Sequence, residues 1–211
     1  MLHKRIMVLL GIACFALVGL AAKAPNLYEK VQQVHLPYFG TIPEEDPFAT
    51  INHAIHQAAF ELLDQAQDPE NVLQYYVDAT ITYQTADILS VQLEEYLFAF
   101  PSAHGSHLYL GLNFDLQTGE RLQLSDLFLE GSDYENIMNG YMANQIVEKR
   151  IPVFNLDDFQ GVNGDFEFSL SEGMLHILFQ EYLYTPYVYG PLMFDIPWEM
   201  LPLKKEWQQQ P

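Results

Sequence analysis

LQYYVDATITYQ (73–84) and HLYLGLNFDLQTGERLQL (107–124) decide the fold. In the first stretch Leu73, Tyr75, Val77, Ala79, Ile81 and Tyr83 alternate with mostly polar Gln74, Asp78, Thr80, Thr82 and Gln84. That is the period of a strand with one buried face. Leu108, Leu110, Leu112, Phe114 and Leu116 repeat it in the second, and Gln117-Thr118-Gly119-Glu120 is a tight turn into Arg121-Leu122-Gln123-Leu124. A third run of the same kind, Ile88 to Phe100, lies between them. Consecutive alternating runs joined by short connections predict antiparallel hairpins.

Such a sheet needs an apolar layer on its buried face. Upstream, Asp46-Pro47 reads as an N-cap followed by proline at the first helical position, after a Pro43-Glu44-Glu45 loop. Ile51, Ile55, Ala58, Ala59, Leu62 and Leu63 then fall on one helical face. Val34 to Phe39, which carries Pro37, reads as a first or edge strand. Downstream, Ser132-Asp133-Tyr134-Glu135 has the form of a capping box opening a second helix with Ile137, Met138, Tyr141 and Ile146 on its apolar face; Lys149-Arg150 and Pro152 close it. Asp165 to Leu170 and Met174 to Tyr182 predict another hairpin around Ser171-Glu172-Gly173, and Leu192 to Ile196 a last strand. The expected fold is α+β, an antiparallel sheet of about seven or eight strands packed against two helices. It occupies residues 35–203 as a single domain, after a polar linker at 23–34 and before a polar tail at 204–211 from which no core contribution is expected.

The first 22 residues differ in kind. Lys4-Arg5 precede an uncharged run from Ile6 to Ala22, a basic region followed by an apolar one, which reads as a signal peptide or an N-terminal membrane anchor. The run exceeds the usual apolar region of about 7 to 15 residues and falls just short of the roughly 20 needed to span a bilayer. Gly19-Leu20-Ala21 offers the small residues that a signal peptidase inspects. Cys14 follows Gly11-Ile12-Ala13, with the apolar run continuing beyond it, which disfavours lipidation at that cysteine. An extracytoplasmic location follows: secreted, periplasmic or anchored on the outer face, with membrane contact only through the N-terminal segment if it is not cut.

Composition narrows the chemistry. Cys14 is the one cysteine in the chain, so the remainder has neither disulfides nor a thiol nucleophile. All 28 Asp and Glu follow residue 22, whereas two of the nine Lys and Arg precede it, so removal of the segment leaves 7 − 28 = −21. A field of that sign repels nucleic acid and anionic lipid and accelerates encounter with a cationic protein. It also serves solubility alone. A Gly-x-Ser-x-Gly elbow, a phosphate-cradling glycine loop and a His-Glu-x-x-His helix are all absent from the sequence. Hence no catalytic residue, no metal and no cofactor is assigned.

Between Ala103 and Leu201 a series of landmarks stands in order. They are Ala103-His104-Gly105; Asn113-Phe114-Asp115-Leu116 with Thr118-Gly119; Leu122-x-Leu124-x-Asp126-Leu127-Phe128; Phe166-x-Phe168-x-Leu170; Phe179-x-x-Tyr182; Pro186-Tyr187-x-x-Gly190; and Ile196-Pro197. This order resembles the RsiV-like family: the extracytoplasmic domain of the lysozyme-sensing anti-sigma factor RsiV, also found as the accessory module of the peptidoglycan deacetylase PdaC. The resemblance implies an α+β fold and a non-enzymatic binding or sensing role at the cell envelope, toward a cationic, lysozyme-like protein or peptidoglycan. Neither the sigma-binding part nor the deacetylase domain is expected in this chain. The alternative is an enzyme that modifies envelope polymers through Asp115, His104 or Glu181, or an accessory module of a cell-wall enzyme.

Ligand-binding candidates are His104, Tyr184, Pro186, Tyr187, Tyr189 and Gly190. Four tyrosines fall between Tyr182 and Pro191 on a turn stiffened by Pro186, offering large contact area at low entropic cost; equally, they suit a corner packed on the sheet end. His104 and His107, three residues apart, suit a metal or a general base, or else a backbone bond that holds the turn. His53 and His56 lie opposite the apolar stripe of the first helix. Glu95 and Glu181 fall on strand phases otherwise apolar, which suits a buried carboxylate with a raised pKa, or else a strand end or a twist of the ladder.

Overall fold

The computed structural model describes residues 31–40, 46–65, 71–164 and 166–208. Residues 1–22, read above as a signal peptide or anchor, the linker up to residue 30, the Pro43-Glu44-Glu45 loop and Asp165 lie outside them. Among the described residues seven strands form two sheets. The first, in the order β1-β2-β3-β4, consists of β1 (Val31–His35), β2 (Val72–Gln84), β3 (Ile88–Ala99) and β4 (Ser106–Asp115). The second holds β5 (Phe168–Ser171), β6 (Met174–Phe179) and β7 (Leu192–Pro197) in sequence order. Helices α1 (Pro47–Gln65), α2 (Tyr134–Lys149) and α3 (Lys205–Gln208) complete an α+β chain. No described helix is long and apolar enough to cross a membrane.

Two expectations are corrected. The single sheet is in fact two, and not every pair is antiparallel, because β1 runs parallel to β2. The α1 crossover between them accounts for the direction, since parallel neighbours need a long connection and a helix supplies it. Strand β1 also ends at His35, so Pro37 lies beyond the ladder rather than on it.

Helix α1 begins as its sequence dictates: Asp46 Oδ1 accepts the Phe48 amide at 2.9 Å ahead of Pro47's helical turn. Its buried Ile51, Ile55, Ala59 and Leu62 share one apolar cluster with Tyr75 and Val77 of β2, Leu89, Val91 and Leu93 of β3, and Leu112 and Phe114 of β4. The alternation read from the sequence therefore holds over most of the sheet. It fails at the ends of β2, where irregularities at Val72/Gln74 and Ile81/Tyr83 shift the register. Past the second, Tyr83 leaves this cluster and packs edge-on against Trp198 in the other one, 5.3 Å between centroids.

That second cluster joins α2 to the three-stranded sheet through Met138, Met142 and Ile146 against Leu175, Ile177, Phe179, Phe194 and Ile196. Here the sequence reading of the helix is corrected. Ile137 is exposed, and the buried face runs Met138-Met142-Gln145-Ile146. The capping box does not form either. Asp133 is the N-cap, the buried Ser132 hydroxyl has no hydrogen-bond partner among the described residues, and the Glu135 carboxylate accepts the Gly164 amide at 2.8 Å instead of reaching back. The tail contributes where none was expected: Trp207 packs on this cluster and donates its indole N–H to Asp126 O at 3.2 Å.

The free edge of β5 meets the polar face of the first sheet beside β4, without a shared ladder. Side chains take its place. On the open edge of β4, Glu181 accepts the His107 amide at 3.2 Å, Gln180 binds both the Tyr109 N–H (3.0 Å) and C=O (2.6 Å), and Glu167 accepts the Gly111 amide at 2.8 Å. In return, Ser90 Oγ accepts the Leu170 amide at 2.9 Å, and Asn113 Nδ2 donates to Phe168 O at 2.8 Å, sealing the free edge of β5. The crossing is tight: a Cβ built on Gly111 would run into the Phe168 carbonyl. Overpacking of this kind costs about 1–3 kcal/mol, so Gly111→Ala is expected to lower the unfolding free energy by about 2 kcal/mol or more in urea titration.

Candidate functional site

The face of the four-stranded sheet turned away from α1 carries the polar phase of each strand. Ladder register lines these residues up in rows. Tyr76 stands opposite Tyr96 and Tyr96 opposite His107; Asp78, Glu94 and Tyr109 form the next row; Thr80, Gln92 and Gly111 the next. At the end where β5 crosses, Ser90 and Asn113 are fully buried. The rows nearest the start of β4 stay half-exposed.

Those rows are aromatic. Tyr76 stacks on Tyr96 (4.8 Å, 14° between planes), Tyr96 contacts His107 (4.9 Å), and His107 lies 6.1 Å from Tyr109 and nearly parallel to it. Glu94 Oε1 pins the strip, 2.8 Å from His107 Nδ1 and 2.9 Å from the Tyr109 hydroxyl. Burial, followed by Glu94, raises the Tyr109 pKa; Tyr76 is shifted the same way by burial, then Tyr96, Glu94 and Asp78. Gly105 is required here, because a side chain on it would collide with the Tyr96 ring.

A second stack adjoins the first. The His104 ring lies 3.8 Å from Tyr187 and 6.4 Å from Tyr182, and Tyr182 and Tyr187 are 5.6 Å apart, all three near parallel. His104 Nδ1 sits 2.8 Å from Gly105 O, and a carbonyl can only accept, so Nδ1 carries the proton. Nε2 then accepts from the Tyr182 hydroxyl at 3.2 Å. Tyr182 is held at φ 64°, a left-handed conformation uncommon for a bulky residue. Loss of solvent raises the Tyr187 pKa first, then Glu181, Tyr96 and Tyr182.

The loop that bears Tyr187 is rigid for local reasons. Pro186 leads into a short 3-10 turn over Tyr187–Tyr189, Gly190 closes it at φ 77°, and the buried Thr185 hydroxyl donates to Gly190 O at 3.3 Å. Of the residues picked from sequence, His104 and Tyr187 are brought together, with Pro186 and Gly190 framing the loop. Tyr189 and the largely uncovered Val188 stand at its tip. Tyr184 is corrected: it turns inward against Phe159 (4.9 Å) and Phe179 (5.2 Å), and its hydroxyl accepts the Gln160 amide.

His104 and His107 do not converge on a common point, one bonding Gly105 and the other Glu94. Among the described residues no group of three or more His, Cys, Asp or Glu could hold a metal ion. Of the residues named for the enzyme alternative, Asp115 stands apart from His104. Asp115 lies at the opposite end of β4 from His104, roughly 30 Å away at strand rise, where its Oδ1 accepts the Gln117 and Thr118 amides to hold a turn. Sequence reasoning missed Tyr76, Tyr96, Tyr109 and Glu94. The available signal was two aromatics, Tyr76 and Tyr96, on the polar phase of their strands.

Residues 125–199 match the family model described as a protein of unknown function, DUF3298. The fold is similar to the crystal structure of a DUF3298 family protein from Pseudomonas aeruginosa PAO1, with a TM-score of 0.67 and 19% identity over 93% of this chain and 95% of that one. A DUF3298 family member from Bacteroides fragilis NCTC 9343 is similar at a TM-score of 0.50 and 18% identity, over 80% and 82% of the two chains. No curated protein matches the chain.

On the α1 side of the sheet, Glu95 is half-buried, and burial raises its pKa above the ordinary 4.5 against a smaller opposing pull from Tyr75. The Tyr75 hydroxyl is buried beside it, yet falls short of hydrogen-bond geometry. A carboxyl that holds its proton more tightly in the folded chain favours folding below its unfolded pKa and loses that contribution as pH rises through the folded value. Glu95→Gln is therefore expected to raise the melting temperature at pH 7, the gain over wild type shrinking as the pH falls through the raised folded value toward 4.5 and gone below it.

Proposed function

We propose that, through its aromatic face, this domain is a binding or sensing module on the outer side of the cytoplasmic membrane, whose partner is a cationic protein of the lysozyme kind. The observation that carries the reading is a pair of aromatic stacks, Tyr76-Tyr96-His107-Tyr109 and His104-Tyr187-Tyr182, brought next to each other where Gly105, the residue after His104, lies against the Tyr96 ring. A phenol is already neutral at physiological pH at its ordinary pKa of about 10, so the strip offers flat, uncharged rings to which guanidinium and ammonium groups bind face-on. Glu94 and Glu181 lie along it, and the chain's net charge of −19 steers a basic partner toward it. Preorganisation adds to this: Pro186, the Thr185–Gly190 bond and the His104 stack fix the loop before any partner arrives.

The RsiV-like resemblance supplies the choice of partner, and the DUF3298 match falls inside the stretch that carries it. The accessory-module role of the deacetylase would use the same surface toward peptidoglycan. The leading basic-to-apolar segment, Lys4 to Ala22, supports placing the domain outside the cytoplasm. Calorimetry with hen lysozyme at low and moderate salt is expected to show binding that weakens as salt rises, and Tyr187→Ala to weaken it at least tenfold, as for an aromatic anchor. No heat of binding at either salt refutes the lysozyme-like partner.

A further inference from the structure

The outer face of the three-stranded sheet holds an arrangement that the binding surface does not use. Ser171 ends β5, His176 stands in the middle of β6, and Asp195 on β7 is the direct cross-strand partner of His176. Ser171 Oγ lies 2.7 Å from His176 Nε2, and His176 Nδ1 lies 2.7 Å from Asp195 Oδ1. A carboxylate oxygen accepts, so Nδ1 carries the proton. Nε2 then presents its lone pair to the serine, whose hydroxyl donates. These are the contacts and the tautomer by which an imidazole serves as general base to a serine.

The sheet fixes all three groups. Adjacent strands set the His176–Asp195 pair, and the two-residue turn at Glu172-Gly173 sets Ser171 diagonally across from His176. Both sequence neighbours of His176, Leu175 and Ile177, are buried in the core below, which holds the strand that bears it. The site is also reachable: Ser171 is half-exposed, and Asp195 has 54% of its side chain open to solvent against 17% for His176. Alongside, Met174 is the cross-strand partner of Ser171 and Pro197 that of Met174; with Gly173, Trp198 and Glu199 they line an open groove of apolar character.

We propose that Ser171 is a nucleophile activated by His176, with Asp195 as the positioning residue, reactive toward esters whose apolar acyl group rests over Met174 and Pro197. In the step, Ser171 Oγ forms a bond to the acyl carbon while its proton passes to His176 Nε2. The ester C–O bond breaks and the departing alcohol takes that proton. Water, deprotonated by the same nitrogen, then releases the acid and restores the serine.

Incubation of the purified chain with an alkyl fluorophosphonate tests this directly. Oγ displaces fluoride at phosphorus, and peptide mass spectrometry locates the adduct. Labelling at Ser171 is expected, at a rate at least 100-fold above that of other serines in the chain. It is expected to be lost in Ser171→Ala, reduced at least 100-fold in His176→Gln and about tenfold in Asp195→Asn. In the last variant the imidazole nitrogen shifts of His176 should also move away from the Nδ1–H tautomer, which loss of packing alone would not produce. All three side chains lie on the outer face of the sheet, and a melting curve for each variant checks its fold. Absence of an adduct at Ser171 in the wild-type chain overturns the proposal, as does equal labelling in folded His176→Gln.

Discussion

Two strand edges with no strand to pair with govern the architecture. The open edge of β4 presents the amides of His107, Tyr109 and Gly111, and that of β5 presents the Leu170 amide and the Phe168 carbonyl. Left unpaired and away from water, each such group costs about 1–3 kcal/mol. Side chains from the opposite sheet satisfy them in both directions. Gln180 does so most completely, because its amide reproduces the donor and acceptor of a peptide group and bonds both sides of Tyr109. The junction also removes an edge that would otherwise invite pairing with another chain.

Placement of the candidate site follows from that junction. Strand β5 crosses the polar face of the first sheet over Ser90, Gln92, Gly111 and Asn113, and leaves the Tyr76-Tyr96-His107 row uncovered. The same residues that seal β4, Gln180 and Glu181, lead directly into Tyr182 and the Pro186 to Gly190 loop. Sealing the edge therefore carries Tyr187 onto His104. A face that period-2 alternation alone would leave to solvent is divided into a seam and a strip of rings.

The sequence made the first sheet legible because β2, β3 and β4 each bury one face against α1, and period-2 alternation reports that burial directly. It could not report the split into two sheets. That depends on Gln180 meeting Tyr109 and Glu167 meeting Gly111, polar residues 71 and 56 positions apart whose types alone suggest a solvated surface. Tyr83 was misplaced because a bulge reverses the phase within one residue. On α2, Met142 and Gln145 were overlooked because nothing on the helix itself says which side the second sheet will occupy. For the site, the loop's tyrosines and His104 were visible as residue types. Tyr184 was included since sequence does not distinguish a ring facing Phe159 and Phe179 from one facing solvent. Tyr76 and Tyr96 escaped notice because the fold class was drawn from the opposite phase of their strands.

Native-state amide exchange on the wild type and Gln180→Ala tests the edge-sealing junction most directly. If Gln180 stands in for a missing strand, the Tyr109 amide should exchange at least ten times faster in the variant, a loss of about 1.4 kcal/mol of local protection. His107 and Gly111 on the same edge should follow it, while Val77 and Val91 in the interior of the sheet hold their wild-type rates. Unchanged protection at Tyr109, or uniform acceleration through β2, β3 and β4, would contradict the account.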